Sequence, residues 1–248
     1  MMIIRSLLFN ALFLTWTFVV SLLSMPLLLG RGRWVRFTAM IWSGGIVLLA
    51  RMVIGLRYEV RGRENLPPGP CIIASKHQSA WETFAYHVLL PEPVYVLKRE
   101  LFFIPMAGWL MWKAGMIGID RKKGLQALKI LIRGAGEALA LDKQIVIFPE
   151  GTRTAPGTSR PYQPGVAMLY QNLDADVVPV ALNSGLFWGR RSFMKKPGVI
   201  VVEFLPPLPR GMSKRDFMAT LSQRIEDAST RLLEEAEGTA PAPNGKAT

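Results

Sequence analysis

The run Ser75-Lys76-His77-Gln78-Ser79-Ala80-Trp81-Glu82 follows an apolar stretch and carries residue types suited to proton transfer. Histidine, with an unperturbed pKa of about 6.5, can take a proton from an alcohol near neutral pH and return it later. A carboxylate on its other ring nitrogen would fix the tautomer and stabilise the imidazolium. Across a strand-to-helix turn, Glu82 could reach back to His77. A capping box competes for the same carboxylate, with Ser79 at the N-cap and Glu82 at the third helical position. The two roles are compatible, since one carboxylate has two oxygens. His77 alone is as readily structural, and His87, further along the same helix, reads as structural or exposed.

A second run, Phe148-Pro149-Glu150-Gly151-Thr152-Arg153-Thr154, ends an apolar strand at Pro149. Gly151 relaxes the backbone so that amide groups and Arg153 can converge on one point, and the planar fork of Arg153 suits phosphate oxygens. Taken by itself the run is equally a turn with a surface ion pair. Lys98, Arg99 and Glu100 form a charged cluster at another strand end, and Asp120-Arg121 closes a further strand without an assigned role. Cys71 lies inside an apolar strand, which favours a buried small residue over a nucleophile. No G-x-S-x-G nucleophile elbow is present, and neither histidine pairs with other ligands at a metal-binding spacing.

These residues need a scaffold. Short β-rich runs recur at Cys71–Ser75, Val94–Leu97, Met116–Ile119, Ile145–Phe148, Val177–Ala181 and Val199–Phe204, with helix-period segments between several of them. In the clearest, Leu125, Leu128, Leu131, Ile132, Ala135, Ala138 and Leu139 share a face. Ser213 with Asp216 caps a last helix striped by Phe217, Leu221, Ile225, Ala228 and Leu232. The expected fold is α/β, a sheet flanked by helices, over residues 58–237. Residues 238–248, rich in Ala, Pro and Gly, read as a disordered tail.

Residues 1–57 have a different character. Between Arg5 and Arg31 no residue is charged, and those 25 positions would extend about 37 Å as a helix. That is too long for the apolar part of a cleaved signal peptide. A second apolar run, Phe37–Ala50, would cover only about 21 Å of a ~30 Å hydrocarbon core. Either the pair forms a hairpin sunk in one leaflet, or Arg36 and Arg51 snorkel so that the second helix spans. The basic linker Arg31-Gly32-Arg33 favours the hairpin. Half the residues are hydrophobic and the net charge is +12, with mean hydropathy +0.24. The partner should therefore be anionic. Arginines flanking the apolar runs suit a bilayer surface better than nucleic acid, for which no motif is present.

His77–Glu82 resembles the H-x4-D/E motif of glycerolipid acyltransferases, specifically the 1-acylglycerol-3-phosphate acyltransferase family. Three more blocks resemble that family's motifs in order: Lys98-Arg99-Glu100-Leu101 with Ile104-Pro105 and Gly108, Phe148–Thr154, and Val178-Pro179-Val180. The family more often has Asp where this chain has Glu82. The resemblance implies a glycerolipid-acyltransferase-like α/β domain behind an N-terminal two-helix membrane motif. It further implies His77 as general base, Glu82 as its orienting carboxylate, and an acceptor-phosphate site at Glu150, Gly151, Thr152 and Arg153 with Lys98 as a further contact. Pro179 would shape the strand near the acyl site. The implied reaction acylates the sn-2 hydroxyl of 1-acyl-sn-glycerol 3-phosphate, lysophosphatidic acid, from acyl-CoA or acyl carrier protein. It gives phosphatidate for phospholipid biosynthesis and uses no metal or other cofactor. The implied setting is a bacterial-type inner membrane, with the site on the cytoplasmic side. Two alternatives stand beside it: the same chemistry on another lysolipid such as a lyso-ornithine lipid, and a non-catalytic protein that binds anionic membranes.

Overall fold

Apolar runs bounded by glycine, proline and charged residues alternate with amphipathic segments from Leu56 onward, and each run becomes a strand. The structure, a computed structural model, describes residues 1–238; the expected tail beyond Gly238 lies outside them. Among the described residues the strands are β1 (Leu56–Arg61), β2 (Cys71–Ser75), β3 (Pro93–Lys98), β4 (Ile117–Ile119), β5 (Gln144–Ile147), β6 (Asp176–Leu182) and β7 (Gly198–Phe204). They form one sheet in the order β1-β7-β6-β2-β5-β3-β4. Every pairing is parallel except β6 with β7.

Central strands of a parallel sheet are covered on both faces and so read as continuous apolar runs. Strand β2 shows this: Ile73 packs in one core layer, Ile72 and Ala74 in the other. The second layer is closed by α5 (Leu125–Leu139), α6 (Gly165–Asn172) and α7 (Lys214–Glu237), through residues such as Leu131, Val166 and Phe217. The Ser213 hydroxyl caps α7 by accepting from the Asp216 N–H at 3.1 Å. The first turn of α5 departs from the expected stripe. Leu125 is 78% exposed there, because it overhangs a cavity instead of the core.

The first core layer is closed by α3 (Trp81–Leu89) and by the N-terminal hairpin, α1 (Met2–Leu23) and α2 (Gly32–Leu49). Helix α2 continues through a π-turn at Ala50–Ile54, so the apolar helix runs 23 residues from Gly32 to Ile54. The sequence expectation of 14 residues stopped at the flanking arginines. Arg33, Arg36 and Arg51 instead lie within the helical run, and Arg36 pairs with Glu92 of the α/β region. Both α1 and the extended α2 are long and apolar enough to cross a membrane.

The hairpin is packed against the α/β region along its length. Phe9 and Ile46 are fully buried. Phe9 meets Trp188 edge-on at 5.2 Å, and Trp42 meets Phe84 in the same way at 5.2 Å. Near the start of α1 the Ser6 hydroxyl accepts from the Lys195 N–H at 3.0 Å. At the other end, Gly32 lies so close to α4 (Ala107–Lys113) that a Cβ would sit 2.7 Å from the Lys113 carbonyl oxygen. The outer face of α1 leaves Ile4, Leu7, Leu14 and Phe18 exposed. Strand β1 begins at Leu56 and pairs with β7 from its first residue, so sheet structure starts just inside the segment expected to be hairpin alone.

Candidate active site

Strands β2, β5, β3 and β4 are adjacent and parallel, so their carboxyl ends open on one edge of the sheet. In open α/β sheets that edge is where functional groups gather. His77 follows β2, Phe148–Arg153 follow β5, Lys98 ends β3 and Arg121 follows β4.

The chain leaves β2 still held by its neighbour, since the Lys76 N–H donates to the Val180 carbonyl at 2.9 Å. It then turns into α3, and that turn is built around Glu82. One oxygen of this fully buried carboxylate accepts from the Gln78 N–H at 2.8 Å, the Ser79 N–H at 2.7 Å and His77 Nδ1 at 2.9 Å. The other accepts from the Ser184 hydroxyl at 2.8 Å. An ionised carboxylate only accepts, so Nδ1 is the donor, and in the neutral imidazole Nε2 keeps its lone pair. The capping box is present but displaced. Helix α3 begins at Trp81 with Ala80 at the cap, while Ser79 Oγ accepts from the Trp81 N–H at 3.1 Å. Glu82 thus closes the turn and orients the histidine together. The His77 ring also stacks on Phe148, with centroids 3.9 Å apart and planes 18° from parallel.

The run after β5 is clamped to the His77 turn. The Thr154 N–H donates to the His77 carbonyl at 2.8 Å, and the Thr154 hydroxyl donates to Glu150 at 2.6 Å. Glu150 departs from the sequence expectation. Its carboxylate is turned inward, accepting from the His77 N–H at 2.9 Å and pairing with Lys76 at 2.7 Å. Lys76 in turn pairs with Glu226 of α7 at 2.8 Å. An acidic group with both oxygens engaged in the interior cannot be a phosphate ligand, so Glu150 is placed as a brace between the two loops. Gly151, Thr152 and Arg153 do line the cavity. Gly151 has φ +70°, and a Cβ there would run into the Arg121 guanidinium. Arg121 donates to the Gly151 carbonyl at 2.7 Å. Burial lowers the pKa of the half-buried Arg153; nearby Glu82 opposes the shift and Arg190 adds to it.

The cavity is about 850 Å³. Its lining includes the cations Lys98, Arg121, Arg153, Arg190 and Arg191 and the apolar side chains of Phe84, Leu110 and Met111, with Val20, Val35 and Trp42 of the hairpin. His77 lies on its wall with 13% of the side chain exposed. This arrangement offers His77 as a proton acceptor oriented by a carboxylate, a set of cations for an anionic group and apolar walls for a hydrocarbon chain. Arg190, Arg191 and Ser184 went unread in the sequence because no spacing links them to His77, and the brace role of Lys76 because its partners Glu150 and Glu226 are distant in the chain. Cys71 is buried in β2 and outside the cavity lining, and burial with Asp176 nearby pushes its thiol up to about 12. It is not an available nucleophile. His87 lines the cavity, and burial lowers it to about 4, so it stands there neutral. Pro179 is buried in β6 opposite Ala74, away from the cavity lining, and its contribution is to the sheet.

Residues 57–183 match the Acyltransferase family model. The chain is 39% identical over 226 residues to a 1-acyl-sn-glycerol-3-phosphate acyltransferase of Pseudomonas aeruginosa, covering 90% of this chain and 88% of that protein. To the human 1-acyl-sn-glycerol-3-phosphate acyltransferase alpha it is 30% identical over 223 residues, covering 89% and 78%. The fold is similar to the crystal structure of a 1-acyl-sn-glycerophosphate acyltransferase from Thermotoga maritima, with a TM-score of 0.77 at 19% identity over 94% of this chain and 98% of that one. With a family model covering more than half of its length and relatives matched over nearly all of it, this chain belongs to the acyltransferase family.

Proposed function

We propose that this protein transfers an acyl group from a thioester donor, acyl-CoA or acyl carrier protein, to the sn-2 hydroxyl of 1-acyl-sn-glycerol 3-phosphate, forming phosphatidate. The observation that carries the reading is the His77–Glu82 pair at 2.9 Å on the wall of a cavity lined by both cationic and apolar side chains. His77 Nε2 takes the proton of the acceptor hydroxyl as its oxygen attacks the thioester carbonyl. The carbon–sulfur bond breaks, and the imidazolium returns the proton to the leaving thiolate. Glu82 holds the ring and stabilises the imidazolium between those steps. Gly151, Thr152 and Arg153, with Arg121 and Lys98, hold the acceptor phosphate, and the channel toward the hairpin takes acyl chain. The chemistry needs no cofactor beyond the thioester.

The same reading sets the protein on a membrane, in a bacterial cell the inner membrane with the cavity on its cytoplasmic side. The hairpin touches the α/β region near the start of α1 and at the tip between its helices, which supports a hairpin lying in one leaflet over one that spans. The acceptor then enters from the bilayer beside the cavity.

The test is thiol release with lysophosphatidic acid as acceptor. His77→Ala should lower kcat by about 10²–10⁴-fold, the usual contribution of a positioned base, with an unchanged circular dichroism spectrum. Retention of most of the wild-type rate would overturn the mechanism.

A further inference from the structure

Five cations, Lys98, Arg121, Arg153, Arg190 and Arg191, line the cavity that holds His77. Among the described residues none of the five is in an ion pair. A single phosphate monoester carries roughly −1.5 to −2 charges near neutral pH, so one acceptor headgroup leaves about three of these cations unmatched. Like charges gathered around one cavity repel, and a second anion there would relieve that repulsion.

The five also divide by position in the sheet. Lys98 ends β3, and Arg153 and Arg121 follow β5 and β4, on one side of β2 and its His77. Arg190 and Arg191 come after β6, on the other side. Their segment is firmly seated. Trp188 is buried, the Lys196 N–H donates to the Phe187 carbonyl at 2.8 Å, and the Lys195 N–H is tied to Ser6 of α1. Arg190 donates to the Arg153 carbonyl at 3.2 Å, which sets Arg190 against the phosphate turn. Arg191 holds φ +55°, a left-handed conformation uncommon for a residue with a side chain and concentrated at functional sites.

We propose that Arg190 and Arg191 bind the phosphate-bearing carrier of the acyl donor. The inference rests on the acyl-transfer reading above, in which two ligands must meet at His77. The acceptor phosphate takes the β5–β3–β4 side and the donor's anionic end takes the β6 side. Acyl-CoA and acyl carrier protein share the phosphate of the pantetheine arm, and acyl-CoA adds the phosphates of its nucleotide.

The experiment uses the full chain with the double substitution Arg190→Gln and Arg191→Gln, in steady-state kinetics with each substrate varied. The donor KM should rise about tenfold or more through loss of charge-assisted contacts, with the acceptor KM within about twofold of wild type. S-acyl-pantetheine, which has no phosphate, should be used equally by variant and wild type. Equal penalties with acyl-CoA and acyl carrier protein assign the arm phosphate, and a penalty with acyl-CoA alone assigns the nucleotide end. A rise in acceptor KM alone, no change in either KM, or a penalty that persists with S-acyl-pantetheine would overturn the proposal. Titration calorimetry of free CoA without acceptor separates it from the function reading. Weaker CoA binding by the variant upholds the arginine site even if wild-type protein proves inactive on lysophosphatidic acid, and unchanged CoA binding removes it even if that activity is present.

Discussion

Glu82 shows how much one side chain can hold. Three donors converge on one of its oxygens and Ser184 takes the other, so the same carboxylate shapes the turn and sets the tautomer of His77. Replacing it by Gln puts an NH2 group where an acceptor is needed on one side or the other. Glu82→Gln should lower kcat by about 10²-fold or more, since the imidazolium loses its counter-charge, with donor and acceptor KM changing much less. Steady-state rates at saturating substrates read this directly, and a wild-type kcat would remove Glu82 from the proton path.

Among elements, the position of the site depends on two loops from different strands being joined. Lys76 at 1% side-chain exposure and Glu150 at 0% form an ion pair in the interior, extended to Glu226 of α7, while Thr154 stitches the loops by backbone and side chain. A buried pair broken on one side leaves an uncompensated charge, at a cost of about 3–5 kcal/mol. Lys76→Met should therefore lower Tm by about 10 °C, and adding Glu150→Gln should recover part of that loss by removing the stranded carboxylate. Melting curves of the two variants decide it. If Lys76→Met melts like wild type, the interior pair is not what joins the loops.

For the whole molecule, the hairpin is as much core as anchor. Phe9, Ile46 and Ile54 belong to the same buried cluster as Trp81, Phe84 and Trp188, and α1 and α2 contribute side chains such as Val20, Val35 and Trp42 to the cavity wall. Removing residues 1–54 should thus give not a soluble enzyme but an aggregating one, because the Phe84–Trp188 face would be uncovered as a contiguous apolar patch. Size-exclusion chromatography of the truncated protein, expressed without detergent, checks this. A monodisperse, folded product would show that the hairpin is an appendage.

The residue pattern alone determined the α/β class, six of the strands to within a residue or two at each end, the capped last helix, the apolar hairpin and the candidacy of His77 and Glu82, with a capping box competing for the carboxylate. Those features are local. Hydrophobic period, turn chemistry and a five-residue spacing are properties of neighbouring residues. Strand β1 was missed although Leu56, Tyr58 and Val60 alternate with Arg57, Glu59 and Arg61, because the boundary expected after residue 57 cut that short pattern in two. The inward turn of Glu150, the brace through Lys76 and Glu226, and the arrival of Arg190 and Arg191 beside Arg153 depend on contacts between residues 37 to 150 positions apart. Such contacts leave no periodic trace in the chain. Only the crossing order of the sheet, which places β6, β2 and β5 side by side, brings those groups together around one histidine.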